Sequence, residues 1–109
     1  MPAAPLGEFE VLVLLAVLHL AEEAWPPAIR AEIERRARRE VSRGAVYVTL
    51  DRLEAKRLLL SETRTTELPQ SGRPRRAYRV SARGVKAVKR ALEAVERMRA
   101  GLEPLLNES

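Results

Sequence analysis

Arginine supplies most of the functional chemistry available to this chain. Seventeen of its twenty basic side chains are Arg, and five of them (Arg73, Arg75, Arg76, Arg79 and Arg83) fall between Gln70 and Arg83 with no acid among them. A guanidinium is a planar fork of donors that can bond two phosphate oxygens, or the O6 and N7 of guanine, at once. Like charges packed this densely repel one another, which favours a polyanionic partner over a merely solvated loop. A second polar set, Ser42, Arg43, Tyr47, Thr49 and Arg52, lies upstream. There Gly44, Ala45 and Val48 leave a small-residue face that can approach thymine methyls.

Covalent and metal chemistry find little support. With no Cys, neither a disulfide framework nor a thiolate metal site can form. His19 is the sole histidine, which removes Cys/His nucleophilic pairs and multi-histidine sites. Glu32 and Arg36 are spaced as an ordinary helical ion pair one turn apart, and no Gly-rich phosphate loop follows a strand. The chain therefore reads as a non-enzyme that needs no cofactor.

The elements that must hold these groups follow from periodicity. Gly7 to Ala21 predicts a first helix that is apolar nearly all round, with Phe9, Leu12, Val13, Ala16 and Leu20 on one side and Val11, Leu14, Leu15 and Leu18 on another. In so small a chain, full cover for such a helix calls for another subunit. Ala24-Trp25-Pro26-Pro27 ends it and starts a second helix, about Pro27 to Arg39, with Ile29, Ile33 and Ala37 inward and a mixed-charge solvated face. Trp25 at that junction reads as a staple between two helices.

Ser42 is the expected N-cap of a third helix running to about Arg57, with Val46, Thr49, Leu50 and Leu53 as its core face. Leu58 to Arg64 and Ala77 to Val80 are candidate strands, with Tyr78 and Val80 inward, around a turn-rich stretch containing Pro69, Gly72 and Pro74. From Ser81 to Glu103 the apolar series Val85, Val88, Leu92, Val95 and Leu102 marks a long amphipathic helix. Gly101 and Pro104 should fray or end it. A helix followed by a basic ribbon outlines a winged helix, with the helix for a major groove and the ribbon for phosphate or a minor groove.

At 109 residues, 46% apolar and with a net charge of +5, the chain has room for about one domain and a modest core. The pI of about 10.4 suits a nucleic-acid partner. Met1 to Glu10 has no Lys or Arg, unlike a secretory signal, and the run Val11 to Leu18 is far shorter than the roughly 20 residues needed to span a bilayer. A soluble cytoplasmic protein with no membrane partner is the expectation.

The run Leu6 to Leu14, the block Ser42-Arg43-Gly44-Ala45-Val46-Tyr47-Val48-Thr49-Leu50-Asp51-Arg52-Leu53-Glu54, and the ribbon Gly72-Arg73-Pro74-Arg75-Arg76-Ala77-Tyr78-Arg79-Val80-Ser81 together resemble the PadR family of bacterial transcriptional regulators. The likeness covers about Leu6 to Val95, and its middle block is the most specific part. It implies a mainly α protein with a small β-wing: a winged helix-turn-helix DNA-binding domain over residues 1–80 and a C-terminal dimerisation helix over 81–109. It also implies a homodimer on a palindromic operator of double-stranded DNA, usually repressing transcription. Tyr47 matches the family's tyrosine in the recognition helix, and Arg73, Arg75 and Arg76 match its basic wing. Three features depart from the pattern. Pro26-Pro27 replaces a Gly-containing turn, Arg57 stands where a Gly often closes the recognition helix, and Ala77 replaces an aromatic before Tyr78.

The DNA contacts expected on these grounds are Ser42, Arg43, Tyr47, Thr49, Arg52, Arg73, Arg75 and Arg76. Arg43 and Arg52 are the better base readers, Ser42 and Tyr47 phosphate contacts, and Thr49 the weakest because it lies near the core face. The expected dimerisation residues are Leu12, Leu15, Val88, Leu92, Val95 and Leu102. A small-molecule effector near the dimer interface is a family habit, but the C-terminal helix supplies no aromatic to line a pocket. The competing readings are a dimeric protein-interaction module without its own DNA specificity and, more weakly, a basic patch on anionic lipid.

Overall fold

The computed structural model describes residues 5–64 and 75–108. Helix α1 (Glu8–Leu20) leads through a 3₁₀ turn (Ala21–Glu23) into α2 (Pro26–Ala37) and α3 (Arg43–Ala55), followed by β1 (Leu59–Arg64), β2 (Arg75–Val80), α4 (Ala82–Arg99) and a short α5 (Glu103–Leu106). The fold is the expected one, mostly helical with a two-stranded antiparallel sheet. None of the described helices is long and apolar enough to cross a membrane.

A helix without a polar face has to be surrounded, and α1 is indeed the hub, touching α2, α3, α4 and β2. Val13, Leu14 and Val17 are almost wholly buried and meet Ile29 and Ile33 of α2 and Val46, Leu50 and Leu53 of α3 in one core. Much of the cover expected from a second subunit thus comes from the chain's own later elements. One acid goes into the same region. Glu10 accepts from the Gly7 N–H at 2.9 Å and from Lys56 Nζ at 2.8 Å, joining the start of α1 to the end of α3. Burial works to raise the Glu10 pKa, but the Lys56 and Gly7 hydrogen bonds and the charges of Lys56 and Arg52 outweigh it and hold the carboxyl below its ordinary value.

Pro26 opens α2, where a missing N–H costs nothing, and holds Trp25 in extended backbone before it. The helix ends on Arg38 in the left-handed region, φ +55°. Its polar face does more than meet solvent. Arg30 Nε donates to the Val41 carbonyl at 2.7 Å and Glu34 accepts the Val41 N–H at 3.0 Å, so two α2 side chains hold the turn into α3. Glu32 receives Arg36 and Arg35, whose hydrogen bonds keep its pKa below the carboxylate norm.

The strands pair from Leu59 with Val80 to Arg64 with Arg75. Tyr78 is inward as expected, but its neighbour Ala77 is buried too while Val80 is only half-buried. Consecutive strand residues point to opposite faces, so both faces of β2 are covered at this point. The Tyr78 N–H donates to the Ala24 carbonyl at 3.0 Å, which ties β2 to the α1–α2 junction.

Helix α4 is anchored at its start. Ser81 caps it by accepting the Gly84 N–H at 3.0 Å and donates to the Arg57 carbonyl at 2.8 Å. A Cβ on Gly84 would lie 2.2 Å from the Leu58 carbonyl oxygen, so glycine is what lets α4 approach the α3–β1 turn. That turn uses Arg57 at φ +63°, a left-handed conformation that glycine adopts at less cost. The departure noted at Arg57 therefore alters the energy of the turn without abolishing it. Beyond Val88, among the described residues, every α4 side chain but the half-buried Ala91 is exposed. The radius of gyration is 15.9 Å, against about 13 Å for a compact domain of this length. Helix α4 ends at Arg99, short of the expected Glu103, because Gly101 takes φ +88° and the chain turns into α5.

Candidate nucleic-acid interface

The four α3 residues expected inside, Val46, Thr49, Leu50 and Leu53, are the four that are buried. They fix the rotation of the helix and so decide what its other side presents. Gly44 and Ala45 are exposed, a Cβ on Gly44 would meet nothing within 4 Å, and Val48 is 55% exposed. Arg43 lies with its guanidinium carbon 5.3 Å from the centre of the Tyr47 ring, a cation–π spacing that holds two of the expected DNA contacts together at the helix start. Arg52 is exposed one turn beyond Val48.

Two members of the expected set are placed differently. Ser42 accepts the Ala45 N–H at 3.1 Å as the N-cap, leaving its hydroxyl proton for an outside acceptor. Thr49 is only 6% exposed and belongs to the core side.

The basic ribbon divides among several surroundings. Arg73 lies outside the described residues. Arg75 sits with its guanidinium carbon 5.6 Å from the centre of the Trp25 ring, and Arg64 approaches the same ring at 5.6 Å. Trp25 is therefore not simply a helix staple; it receives the outer end of the β1–β2 ladder, and its Nε1 donates to Glu23 at 3.1 Å. Arg76 lies beside the Tyr78 hydroxyl, and that oxygen together with the nearby Glu54 and Asp51 carboxylates of α3 raises its pKa. Burial pushes the Tyr78 hydroxyl up, and Arg76 opposes that only in part. Ser61 donates to Glu54 on the same side, so strand and helix are laced together behind the exposed face.

The acid-free run extends further than Arg83. Between Gln70 and Leu92 there are eight basic residues and no Asp or Glu. Arg83, Lys86 and Arg90 recur at three and four, which places them on the side of α4 away from its apolar stripe.

The expected dimerisation residues also separate. Val88 is 3% exposed and belongs to the protomer's own core. Leu12 and Leu15 are half-buried and line a cleft of about 220 Å³ between α1 and α2, whose rim carries His19, Glu32 and Arg36. Leu92, Val95 and Leu102 are exposed, as are Val85 and Met98 beside them. Among the described residues no group of three or more His, Cys, Asp or Glu could hold a metal ion.

Sequence reading missed the role of Gly84, the Arg30–Glu34 clamp on Val41, the Glu10–Lys56 link and the two arginines on Trp25. Each joins residues far apart in the chain. Only the four-residue spacing of Arg30 and Glu34 left a local trace.

A family model described as the transcriptional regulator PadR-like family matches residues 14–90. A transcriptional regulator of Mycobacterium tuberculosis, Rv3488, is 41% identical over 93 residues, covering 78% of this chain and 79% of the relative. Among solved structures, a PadR family transcription regulator from Clostridium difficile superimposes with a TM-score of 0.71 at 20% identity, over 92% of this chain and 99% of that one. F93 from STIV, a winged-helix DNA-binding protein, gives a TM-score of 0.64 at 20% identity over 88% and 97%.

Proposed function

The chain belongs to the PadR-like family of transcriptional regulators, and from that premise we propose that it binds double-stranded DNA as a two-fold homodimer and represses transcription from a palindromic operator. Family membership makes it a regulator and not an enzyme. The observation that carries the DNA reading is the outer side of α3. A small-residue strip, Gly44, Ala45 and Val48, is bordered by Arg43, Tyr47 and Arg52 and backed by fully buried Val46, Leu50 and Leu53. Small groups allow the helix to lie deep in a major groove, and the flanking arginines can then reach guanine edges and phosphates.

Residues 1–80 form the DNA-binding part and residues 81–109 the dimerisation part in this reading. Leu92 and Val95 of α4 and Leu102 just beyond its end pair between two copies, with Val85 and Met98 widening the contact. A two-fold axis there presents two α3 helices to successive major grooves, about 34 Å apart. Arg73, Arg75 and Arg76 hold the sugar-phosphate backbone outside the groove. Repression follows when the occupied operator overlaps a promoter, and the cytoplasm is where such a regulator meets its DNA. The exposed apolar face of α4 also suits the rival protein-interaction module, which predicts no affinity for DNA.

Selection of bound fragments from genomic DNA, followed by mobility-shift titrations against salt, tests this. The expected result is an inverted-repeat site and a log–log salt slope that falls by about 2–3 when Arg73, Arg75 and Arg76 are all changed to Ala. Wild-type affinity and slope in that triple variant remove the wing from the model. No binding by the wild-type chain to any fragment favours the interaction module.

A further inference from the structure

The cross-strand pair Arg64 and Arg75 is electrostatically awkward. The two stand directly opposite each other at the far end of the β1–β2 ladder, where like charges weaken strand pairing. Yet both guanidinium carbons lie 5.6 Å from the centre of one indole, that of Trp25, within cation–π reach of the ring type that attracts cations best. We propose that Trp25 is the positioning residue of the wing: its ring holds Arg64 and Arg75 together and thereby fixes the direction in which the β1–β2 pair leaves the α1–α2 junction. This rests on the DNA-binding reading above, in which the same strand pair presents Arg75 and Arg76 to phosphate.

The indole is itself well fixed. Pro26 confines Trp25 to extended backbone at φ −91°, ψ 154°, and Nε1 donates to the Glu23 carboxylate at 3.1 Å. Arg64 is tied to the same junction a second time, through Nη1 to the Glu22 carbonyl at 2.9 Å, and its Nε donates to Glu62 at 2.8 Å. On the other strand the Tyr78 N–H meets the Ala24 carbonyl at 3.0 Å, one residue before Trp25. Backbone therefore joins β2 to the junction near Tyr78, and the aromatic contact joins both strands to it at the outer end. Two separated attachments fix an angle where one would leave a pivot. A guanidinium drawn to a ring by charge still has N–H donors for a second acceptor, so Arg75 can serve the ring and a phosphate together.

The test uses the full chain with Trp25→Leu, which keeps bulk and loses the π face, and Trp25→Phe, which keeps a weaker one. On a random-sequence duplex, Trp25→Leu should bind about 5- to 30-fold more weakly, as expected for loss of two cation–π contacts, with a salt slope lower by about 1. Trp25→Phe should recover part of both, while all three proteins keep the same helical circular dichroism. Trp25 is the only tryptophan, so its emission reports the cluster without any DNA. Arg75→Gln and Arg64→Gln should each change that emission, and amide exchange at Arg76 and Ala77 should quicken in Trp25→Leu. Wild-type affinity and slope in Trp25→Leu overturn the proposal while leaving the DNA reading intact. Should the wild-type chain fail to bind DNA, the DNA reading falls, and unchanged emission and exchange in these variants would sink the positioning role separately.

Discussion

Helices α3 and α4 both hold apolar side chains out to solvent, but at different grain. On α3 the exposed strip is Gly44, Ala45 and Val48, small groups with Arg43, Tyr47 and Arg52 at the edges. On α4 it is Val85, Leu92, Val95 and Met98, the last 79% exposed, with acids and bases paired on the opposite side, as in Arg97–Glu93 at 3.9 Å. Large exposed apolar groups gain most from burial against matching groups, since the gain scales with area. Small ones gain little, but they let a rigid polyanion approach closely enough for flanking cations to act. Two surfaces that are alike in exposing apolar groups thus differ in the partner each would favour, which in the proposed reading is a second copy for α4 and a duplex for α3.

The comparison breaks most visibly if charge is placed on each strip in turn. Leu92→Glu with Val95→Glu should weaken self-association by more than about 100-fold, because both carboxylates would need to be buried unpaired. Light scattering should then show a folded monomer, since neither residue belongs to the protomer core. Val48→Glu should leave assembly and stability unchanged and reduce DNA affinity by about tenfold or more. An inverted outcome, with Val48→Glu dissociating the assembly, would exchange the two roles.

A smaller effect sharpens where the α4 strip begins. Gly84→Ala should destabilise the fold by about 1–3 kcal/mol in chemical denaturation, since the added methyl meets the Leu58 carbonyl at 2.2 Å and α4 must lift. A neutral result would mean that α4 is not seated on the α3–β1 turn.

The smallest expected effect concerns the rear of α3, where Lys56 meets Glu10. The folded-state pKa of Glu10 is depressed, so its contribution is fully present above the ordinary carboxylate range and is lost as pH falls through the folded value. Lys56→Met should cost about 1 kcal/mol at neutral pH, discounted for the 38% exposure of the lysine side chain. It should cost progressively less below pH about 4. Denaturant midpoints for both proteins from neutral to acid pH check this, and a difference independent of pH would remove the ion pair as its cause.

Much of the architecture is legible in the residues because it is local. Ser42 and Ser81 cap helices through their own turns, and the spacing of Val46, Thr49, Leu50 and Leu53 states which side of α3 is inward. The same periodicity was misleading on α4, where Val88 belongs to the pattern shared by Leu92 and Val95 but not to their environment. A wheel reports the face and is silent about how far along the helix cover extends. The arginine ribbon is legible as charge but not as geometry: Arg76 meets Tyr78 two residues along the same strand, whereas Arg75 meets Trp25 fifty residues away in the chain.

Residue order alone determined the four main helices and the strand pair, though not the end of α4, the start of β2 at Arg75 or the short α5, together with the inward face of α3 and the family, all of which depend on neighbours within a few turns or on a contiguous motif. Tertiary structure decided which arginines are already engaged, where α4 loses its cover and why residue 84 is glycine. Those depend on groups brought together from distant positions, whose distances and exposures exist only after the core of α1, α2 and α3 has closed.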